Sequence, residues 1–455
     1  MKLIKRGLSS VFIQEFEALK LRIGEKVTIR GRVQNVRVKG KIGFLVLRQQ
    51  TQTIQCCAFT GEKITKELIK DIKNLTCESV VQVSGTLAKA EKTTSCSIKE
   101  NEIIIDSFEV LSKAEALPFT FEEGDQLDRV GLKTRLDHRV MDLRMNLMQA
   151  LMKSSSQVCQ WFREYLLLKG FMEIHSPKIV EGLSEGGSEV FRVDYFGKQG
   201  CLAQSPQLYK QMAVLGDFYK VFEIGPVFRA ENSNTHRHLC EFVGLDLELV
   251  IQQSYLEIIG VTFEVLLHIF RNLEKEKTLE SVFGVFGSPR IEIGKDLTMF
   301  THREAVEMLS NSGVSIGKHE DFSMDHEKIL GNLVKSKYNT EFYVIHRYPT
   351  HLRPFYTHPC PEDPFYSESF DFFLRGEEIA SGSRRISDYE ALLQSAVNRK
   401  IDLKSIQFYL ESFKYGAFPH GGCGLGLERL LMLYFNTGNI RYTSLFPRDP
   451  KRLSP

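Results

Sequence analysis

The chain has 455 residues, 42% of them hydrophobic and 25% charged, which is typical of a soluble globular protein with two or three domains. No apolar run approaches the roughly 20 residues that a membrane-spanning helix needs, and no targeting or Cys-x-x-Cys pattern is present, so we expect a cytoplasmic protein without a membrane partner or structural zinc. The net charge of +2 is uneven: residues 1–113 contain 20 Lys and Arg against 12 Asp and Glu, which is typical of a basic domain that binds a polyanion.

Short alternating segments rich in β-branched residues predict a small β domain at residues 1–111. Five strands are expected, with a helix at about 63–74 between the third and fourth; the strands are 27–33, 43–47, 53–59, 79–87 and 103–110. This order predicts an OB-fold barrel, a fold that often binds single-stranded nucleic acid. Residues 112–134 are predicted to be a connector or hinge, and residues 135–455 a second, larger domain.

In the second domain a long amphipathic helix is expected from about Met145 to Lys169, with Gly170 ending it. Strands and loops are predicted from there to Val250. A small helical insertion is expected around 254–340. Strands then return, and a helix at about 427–435 closes the domain.

The most informative segment of the chain is residues 228–249, which read FRAENSNTHRHLCEFVGLDLEL. An apolar strand ends at Arg229 and Glu231. A polar loop follows, and a second strand begins near Phe242. An arginine and an aromatic ring on neighbouring strands suit a nucleotide, because the guanidinium pairs with a phosphate and the ring stacks on a base. A charged hairpin on a solvated face is the alternative, but such hairpins do not usually follow an apolar run directly.

Three motifs in order resemble the class II aminoacyl-tRNA synthetases: the long helix leading to Pro177, the 228–249 hairpin, and the GCGLGLER segment at 422–429 that enters a helix. A dinucleotide fingerprint is disfavoured there, because Leu427 stands where that motif needs its third glycine. Within the class, the chain resembles aspartyl-tRNA synthetases of the archaeal and eukaryotic cytosolic type. The stretches that carry this resemblance are 184–188, 204–210, the hairpin, 353–356 and 444–450.

The resemblance implies an α+β fold, with the OB-fold barrel followed by a catalytic domain built on a mainly antiparallel sheet flanked by helices. It also implies a two-step reaction: ATP activates L-aspartate to aspartyl-adenylate, and the aspartyl group then passes to the 3′-terminal ribose of tRNA(Asp). A two-fold homodimer with Pro177 at its interface is implied, and no DNA partner.

By the same resemblance, Arg229, Glu378 and Arg429 are the expected catalytic residues. Arg229 would clamp the α-phosphate and the aspartate carboxylate, and Phe242 would stack on adenine, whose amino group Glu231 would hold. Arg237, His238 and Arg429 would meet the outer phosphates. The remaining expected ATP-binding residues are Leu239, Glu378, Gly426, Leu427 and Glu428. Because the reaction needs no covalent protein intermediate, catalysis requires only that the substrates are positioned and that the charge at phosphorus is neutralised.

Oxygen ligands are the ones that Mg²⁺ prefers, and the resemblance assigns this ion to Glu378, with Ser381 and Asp371 contributing. The aspartate β-carboxylate needs cations, which Lys210 and Arg385 would supply. The other expected aspartate-binding residues are Glu185, Gln207, Arg229, Asp246 and Ser381. The related enzymes commonly read Ser-Gly-Ala-Gln-Arg where this chain has residues 381–385, and we expect the additional Arg384 to point to solvent rather than to change affinity.

In the barrel, Arg37, Phe44, Gln55 and Glu102 match positions that bind the anticodon in the family. An exposed ring can stack on an unstacked base, and an amide or a carboxylate can read its edge. Without the resemblance, Phe44 in a strand is more often a core residue.

Alternative functions remain open at this stage. Asparaginyl charging, or relaxed charging of both tRNA(Asp) and tRNA(Asn), is hard to exclude because an amide can still accept from an arginine. Charging with lysine is disfavoured, since the ammonium group of that substrate would need acidic residues at the positions of Lys210 and Arg385. An inactive RNA-binding paralogue is disfavoured by the intact phosphate-binding set. An ammonia-using asparagine synthetase is disfavoured because it lacks the basic anticodon barrel.

Overall fold

The computed structural model describes residues 10–121, 129–181, 190–294 and 296–455. It divides into two compact units, Met1–Gln149 and Ala150–Pro455. The first unit holds the predicted barrel, the predicted connector and the first helices that follow it. The predicted ligand Glu185 lies outside the described residues. None of the described helices is long and apolar enough to cross a membrane.

The predicted five-stranded barrel is confirmed in the first unit. After the short strand β1 (Val11–Phe12), the barrel strands are β2 (Lys26–Lys39), β3 (Ile42–Gln49), β4 (Gln52–Phe59), β5 (Val80–Lys89) and β6 (Asn101–Ser112). They pair in the order β2-β3-β4-β6-β5, and the antiparallel pairing of β5 with β2 closes the ring. Closure leaves the barrel without a free edge among these strands.

Alternating side chains fill the barrel interior. In β5 every second residue from Val81 to Leu87 is buried. The helix α1 (Lys66–Lys73) starts where the Thr65 side chain accepts from the Leu68 amide, and its Ile69 and Ile72 pack into the core. Among the described residues before 146, the other helical segments are α2 (Leu132–Asp137), α3 (Arg139–Asp142) and the 3₁₀ turn Phe16–Leu21.

A buried carboxylate joins the barrel to the end of the first unit. Glu78 takes a left-handed conformation before β5, and its side chain is only 1% exposed. Its two oxygens lie 2.8 and 2.9 Å from Nη2 of Arg48, and Oε2 also lies 2.9 Å from Nη1 of Arg144. Arg32 approaches to 3.8 Å. Because a buried charge is tolerated only when it is paired, these arginines and Glu78 stabilise one another.

Replacing Glu78 by Gln should therefore destabilise the first unit by about 3 kcal/mol, since it leaves buried guanidinium groups without a counter-charge. Urea unfolding followed by the fluorescence of a probe placed in the barrel measures the change. The exposed Glu109→Gln in β6 is the matched control. A loss no larger than that of the control would show that solvent, rather than Glu78, balances these arginines.

The second unit is built on an eight-stranded sheet, among the described residues, in the order β13-β14-β15-β16-β17-β12-β11-β7. Neighbouring strands are antiparallel except for the pairs β13–β14 and β7–β11, which confirms the expected mainly antiparallel sheet. Its strands are β7 (Met172–Glu173), β11 (Lys220–Phe228), β12 (Glu241–Val250), β13 (Thr298–Thr301), β14 (Phe342–His346), β15 (Ser369–Leu374), β16 (Glu377–Arg384) and β17 (His420–Gly426). A separate three-stranded sheet contains β8 (Ile179–Val180), β9 (Arg192–Tyr195) and β10 (Lys198–Leu202).

Helices flank the large sheet. The long helix α4 (Asn146–Leu168) appears where the sequence predicts it, and Gly170 takes φ +81° just beyond its end. The closing helix α12 matches its prediction at Leu427–Phe435. The other α-helices are α5 (Gln207–Leu215), α6 (Leu256–Lys275), α7 (Glu280–Phe286), α8 (His302–Asn311), α9 (Met324–Tyr338), α10 (Tyr389–Asn398) and α11 (Gln407–Ser412). Short 3₁₀ turns are Lys277–Leu279, Thr350–Leu352, Phe413–Tyr415 and Ile440–Tyr442.

The segment predicted as a helical insertion around 254–340 also contributes a strand. Residues 298–301 form β13, which pairs in parallel with β14 at the edge of the large sheet. The helical prediction rested on the long periodic stretches on either side of it. Four residues are too short to carry a period of their own.

Candidate active site

A cavity of about 350 Å³ opens where the central strands of the large sheet meet the start of α12. Its lining comes mainly from β11, β12, β16, β17 and α12 and the loops that follow β11 and β16. The segment 204–207 at the start of α5, the loop at 353–357 and Ile440 complete it. Among the described residues, the lining includes five arginines (229, 237, 353, 385 and 429) and four carboxylates (Glu231, Asp246, Glu378 and Glu428). Such a concave site with convergent charged groups suits a small anionic ligand.

The 228–249 hairpin forms one wall. Its strands pair without a break from Lys220 opposite Leu249 to Phe228 opposite Glu241. The register places the Arg229 guanidinium 5.5 Å from the centre of the Phe242 ring. The predicted juxtaposition of a phosphate-binding cation and a stacking ring is therefore present in the structure.

Glycines in β17 make room for the acids of β12. A Cβ at Gly422 would lie 2.3 Å from Oε2 of Glu248, and one at Gly424 would lie 2.9 Å from Oδ1 of Asp246. These glycines stand directly opposite the two acids in the antiparallel register. The Gly-rich pattern of 422–426 thus reflects close approach across a sheet rather than a phosphate-binding loop.

Arg385 is fixed at the cavity wall by a buried carboxylate. Its Nε donates to Oε1 of Glu248 at 2.8 Å, and its Nη1 donates to Oγ of Ser383 at 2.6 Å. Its Nη2 donates to Gln207 and to the carbonyl of Gly422, at 3.2 and 2.9 Å. Burial alone would raise the pKa of Glu248, but the charges of Arg385 and Lys210 outweigh it and hold that pKa below its ordinary value. Both charges therefore persist in the core.

Lys210 lies behind the wall rather than on it. Its Nζ is 3.1 Å from Oδ1 of Asp246 and 3.1 Å from the carbonyl of Cys423, and the residue is 1% exposed. The expected direct contact of Lys210 with a ligand is therefore not offered by this arrangement. Its charge instead orients Asp246 and adds to the positive potential beneath the cavity.

A second charged group surrounds Glu378. Burial and the neighbouring Asp371 raise the pKa of Glu378. Asp371 does not line the cavity, because Arg353 donates to its two oxygens at 3.0 and 2.6 Å. The same Arg353 Nη1 donates to Oγ of Ser381 at 3.2 Å.

These oxygens fit a magnesium ion in part. Glu378 and Ser381 both line the cavity, and a cation would favour the ionised form that burial now disfavours. Asp371 does not fit a direct ligand role while Arg353 occupies both of its oxygens. No cluster of three or more His, Cys, Asp or Glu residues suited to a metal occurs in the part of the chain that the structure describes. Mg²⁺ usually takes only one or two carboxylates together with substrate phosphates, so two protein oxygens suffice.

Arg237, His238 and Arg429 gather at the other end of the cavity. Burial lowers the pKa of Arg429, the charge of Glu378 opposes that shift, and the charges of Arg237 and Arg229 add to it. Burial and Arg429 also lower the pKa of His238. Arg237 donates to Glu327 of α9 at 2.9 Å. A polyanion bound here would offset the positive charges that lower the pKa of Arg429 and of His238.

Most of the predicted nucleotide and aspartate ligands line the cavity together: Gln207, Arg229, Glu231, Arg237, His238, Leu239, Phe242, Asp246, Glu378, Ser381, Arg385, Gly426, Glu428 and Arg429. Lys210, Asp371 and Leu427 do not line it; Leu427 is 2% exposed in the core. Pro177 lies in an exposed loop after β7. Arg384 is not free in solvent as expected, because its Nη1 donates to Glu368 at 3.0 Å.

Several lining residues had no role in the sequence interpretation. Gln204, Tyr356 and Thr357 line the cavity, as does Arg353, which stacks 3.8 Å from the Tyr348 ring centre. The 204–210 and 353–356 stretches carried the resemblance, so the signal for Gln204 and Arg353 was present but unassigned. The pairing of Glu248 with Arg385 gave no such signal, because the two residues are 137 positions apart.

The four predicted anticodon residues share one region of the barrel. Arg37 stands opposite Phe44 in the register, with its guanidinium 5.5 Å from the ring centre. Gln55 stands opposite Glu102, and its Nε2 donates to Oε2 at 2.7 Å. Phe44 also pairs with Cys57, whose thiol donates to the same Glu102 oxygen at 3.3 Å. A ring, a cation, an amide and a carboxylate are thus side by side.

The cavity acid Glu428 yields a prediction about pH. Burial raises the pKa of Glu428 from 4.5 to about 7, and the carboxylate accepts from the Val243 amide at 3.0 Å. The folded state therefore holds this proton more tightly than the unfolded state, and the protein loses stability as pH rises from about 4.5 to 7. Glu428→Gln cannot titrate but keeps an acceptor for Val243. We expect it to be more stable than the parent at pH 8, by on the order of 2–3 kcal/mol, and to lose this advantage at pH 4.5.

Urea unfolding at the two pH values, with the exposed Glu307→Gln as control, measures this difference. A Glu428→Gln gain of equal size at pH 4.5 and pH 8 would contradict the titration and point to packing instead.

Comparisons with known proteins agree with this geometry. The family model described as tRNA synthetases class II (D, K and N) matches residues 131–450, and the model for the OB-fold nucleic acid binding domain matches residues 27–111. The cytoplasmic aspartate–tRNA ligase of Bos taurus is 45% identical over 95% of this chain and 89% of its own length.

Two solved structures are similar over nearly the whole chain. A putative aspartyl-tRNA synthetase from Leishmania major superposes with a TM-score of 0.93 at 38% identity, covering 100% of this chain and 97% of that one. An asparaginyl-tRNA synthetase from Pyrococcus horikoshii, complexed with asparaginyl-adenylate, gives a TM-score of 0.86 at 29% identity, covering 98% and 100%. The chain belongs to the class II aminoacyl-tRNA synthetases and, within them, to the aspartate–tRNA ligase family.

Proposed function

We propose that this chain charges tRNA(Asp) with L-aspartate in two steps. ATP first activates the aspartate carboxylate to aspartyl-adenylate, with release of pyrophosphate, and the 3′-terminal ribose of the tRNA then takes the aspartyl group and releases AMP. The observation that carries the proposal is the position of Arg385 in the same cavity as Arg229, Arg237 and Arg429. Arg385, a cation suited to a side-chain carboxylate, thus shares the cavity with three cations suited to a triphosphate.

The arginines of the cavity indicate how the phosphates of ATP would be bound. Arg229, beside the Phe242 ring, is placed to bind the α-phosphate of a nucleotide whose base stacks on that ring. Arg237 and Arg429 would neutralise the outer phosphates and so stabilise the charge that develops on the pyrophosphate leaving group. Glu231, at the edge of the same wall, would accept from the adenine amino group.

Magnesium fits the acid end of the cavity. Glu378 and Ser381 would hold the ion, which would supply positive charge to neutralise the phosphates of the nucleotide. Arg353 donates to both Asp371 and Ser381 and so fixes the two side chains relative to each other. Asp371 would then support the ion from behind Ser381 without occupying a ligand position.

The aspartate end follows from Arg385. Within the described residues, the hydrogen bonds of the Arg385 guanidinium engage every N–H except one on Nη1, so a carboxylate can still be accommodated at the wall. Asp246, Gln207 and Ser381 line the same region and would receive the α-amino group. A lysine substrate would place its ammonium against Arg385, which excludes it on charge.

The barrel supplies the tRNA contact in this proposal. Phe44 would stack on an anticodon base, Arg37 would pair with the backbone, and Gln55 with Glu102 would read a base edge. The relatives are named as cytoplasmic, and we place this chain in the same compartment. A homodimer through the segment at Pro177 is part of the proposal.

Arg385 gives the decisive test of activation. Wild-type protein should catalyse ATP–pyrophosphate exchange with aspartate but not with asparagine or lysine. Arg385→Leu should abolish it, because the β-carboxylate loses its cation; Arg385→Lys should keep the fold but lower kcat/KM for aspartate by roughly a hundredfold, since lysine lacks the planar fork. Binding of ATP, measured separately by calorimetry, should change little in the lysine variant.

Exchange with asparagine would favour relaxed charging of tRNA(Asp) and tRNA(Asn). Silence of the folded wild type with all three amino acids would refute the proposed activity and leave RNA binding alone. Unchanged aspartate kinetics in Arg385→Lys would remove Arg385 from the pocket.

Phe44 gives the corresponding test of tRNA recognition. Phe44→Ala should weaken tRNA charging by about 1–3 kcal/mol in kcat/KM for tRNA, the usual contribution of one stacked base, and leave aspartate-dependent exchange unchanged. The matched control is Phe12→Ala. Phe12, on β1, forms a similar pair with Arg30, whose guanidinium lies 5.2 Å from the centre of the Phe12 ring. Equal losses in charging and exchange would mean that Phe44 is structural.

A further inference from the structure

Three backbone segments meet beside the cavity through a closed set of hydrogen bonds. The amide of His358 donates to the carbonyl of Arg384 at 3.0 Å, the amide of Arg384 donates to Glu368 at 2.9 Å, and the amide of Glu368 donates back to His358 at 2.9 Å. We name His358, Glu368 and Arg384 the junction triad. It connects the end of β16 to the loop at 357–358 and to the residue before β15.

The side chains of the junction triad also contact one another, through the charged carboxylate of Glu368. Oε2 of Glu368 lies 3.0 Å from Nη1 of Arg384 and 3.0 Å from Nδ1 of His358. The Glu368 side chain is 11% exposed, and the Arg384 side chain 23%. Burial would raise the pKa of Glu368, but the close approach of His358 and the charge of Arg384 outweigh it and lower that pKa. The carboxylate is thus held ionised between two partners.

The residues next to the junction triad are cavity residues. Thr357 and Arg385 both line the cavity, and they pair with each other in an isolated antiparallel bridge. Thr357 precedes His358 in the chain, and Arg385 follows Arg384. A hydrogen-bonded triad on one side of this bridge therefore restricts the backbone from which the Arg385 guanidinium extends.

We propose that the junction triad positions Arg385 and Thr357 for the amino-acid substrate, and that Arg384 is its principal positioning residue. Arg384 does not line the cavity itself and acts through the backbone of Arg385. This inference rests on the proposed function, because it assigns Arg385 to the β-carboxylate. The consequence is a selective effect on aspartate: Arg229, just after β11, and Phe242, on β12, would contact the nucleotide, and the triad joins neither of these strands.

The experiment compares Arg384→Gln, Glu368→Gln and the double variant in steady-state ATP–pyrophosphate exchange. Each single variant should raise KM for aspartate by roughly tenfold and leave KM for ATP within about twofold, because loss of the ion pair lets the Arg385 backbone shift by part of an ångström. The double variant should be no worse than the singles, since one interaction is removed in each case. Arg384→Lys, which keeps the charge, should recover part of the loss.

The matched control is Arg290→Gln, which removes an exposed arginine that pairs with Glu274 and Glu280 away from the cavity. It should change neither KM. Thermal unfolding of each variant verifies that the fold is retained.

Three results would overturn the inference. Unchanged aspartate KM in both single variants would make the junction triad structural only. Opposite changes, with Arg384→Gln raising and Glu368→Gln lowering the aspartate KM, would show a charge effect without positioning. Equal increases in the KM for aspartate and ATP would show a general disturbance. Absence of exchange in the wild type would instead refute the proposed function, which separates the two failures.

Discussion

The second unit depends on a pair of charges that almost no water reaches. Glu248 is fully buried and Arg385 is 4% exposed, and two of the guanidinium nitrogens meet the carboxylate. Removing both charges from water costs several kcal/mol per ion, and only good geometry with additional hydrogen bonds offsets that cost. The protein supplies these through Ser383, Gln207 and the carbonyl of Gly422. Strand register, glycine placement and the start of α5 all serve this one requirement.

The same reasoning orders the rest of the cavity. Lys210 and Asp246 form a second ion pair next to the first, and Arg353 with Asp371 forms a third beneath Ser381. In each pair one member lines the cavity or contacts a residue that does, and the other lies behind it. Charged groups of the cavity wall are therefore held by buried counter-charges rather than by a ligand, which is the arrangement that preorganised catalysis needs.

The sequence predicted what is local. The barrel strands, α1, α4 and α12 follow from period and capping, and the hairpin wall follows from an apolar run that ends in Arg229 and returns through Phe242. The sequence did not indicate which residues pair over long distances in the chain. Nothing near Arg384 indicates Glu368, since the register of β15 and β16 brings these two residues together. Nothing near Arg353, which lies in a loop, indicates that it would bind Asp371. β13 was missed for another reason: four residues between helices carry no periodic signal.

The glycines of β17 limit where the cavity can change. Any side chain at 422 would meet the Leu247 carbonyl 2.0 Å from its Cβ, and any at 424 would crowd Asp246. The floor of the cavity therefore has one available shape. An engineer who wished to redirect this enzyme toward a different amino acid would have no freedom there and would have to alter the surrounding walls, or the residues behind them that set their position.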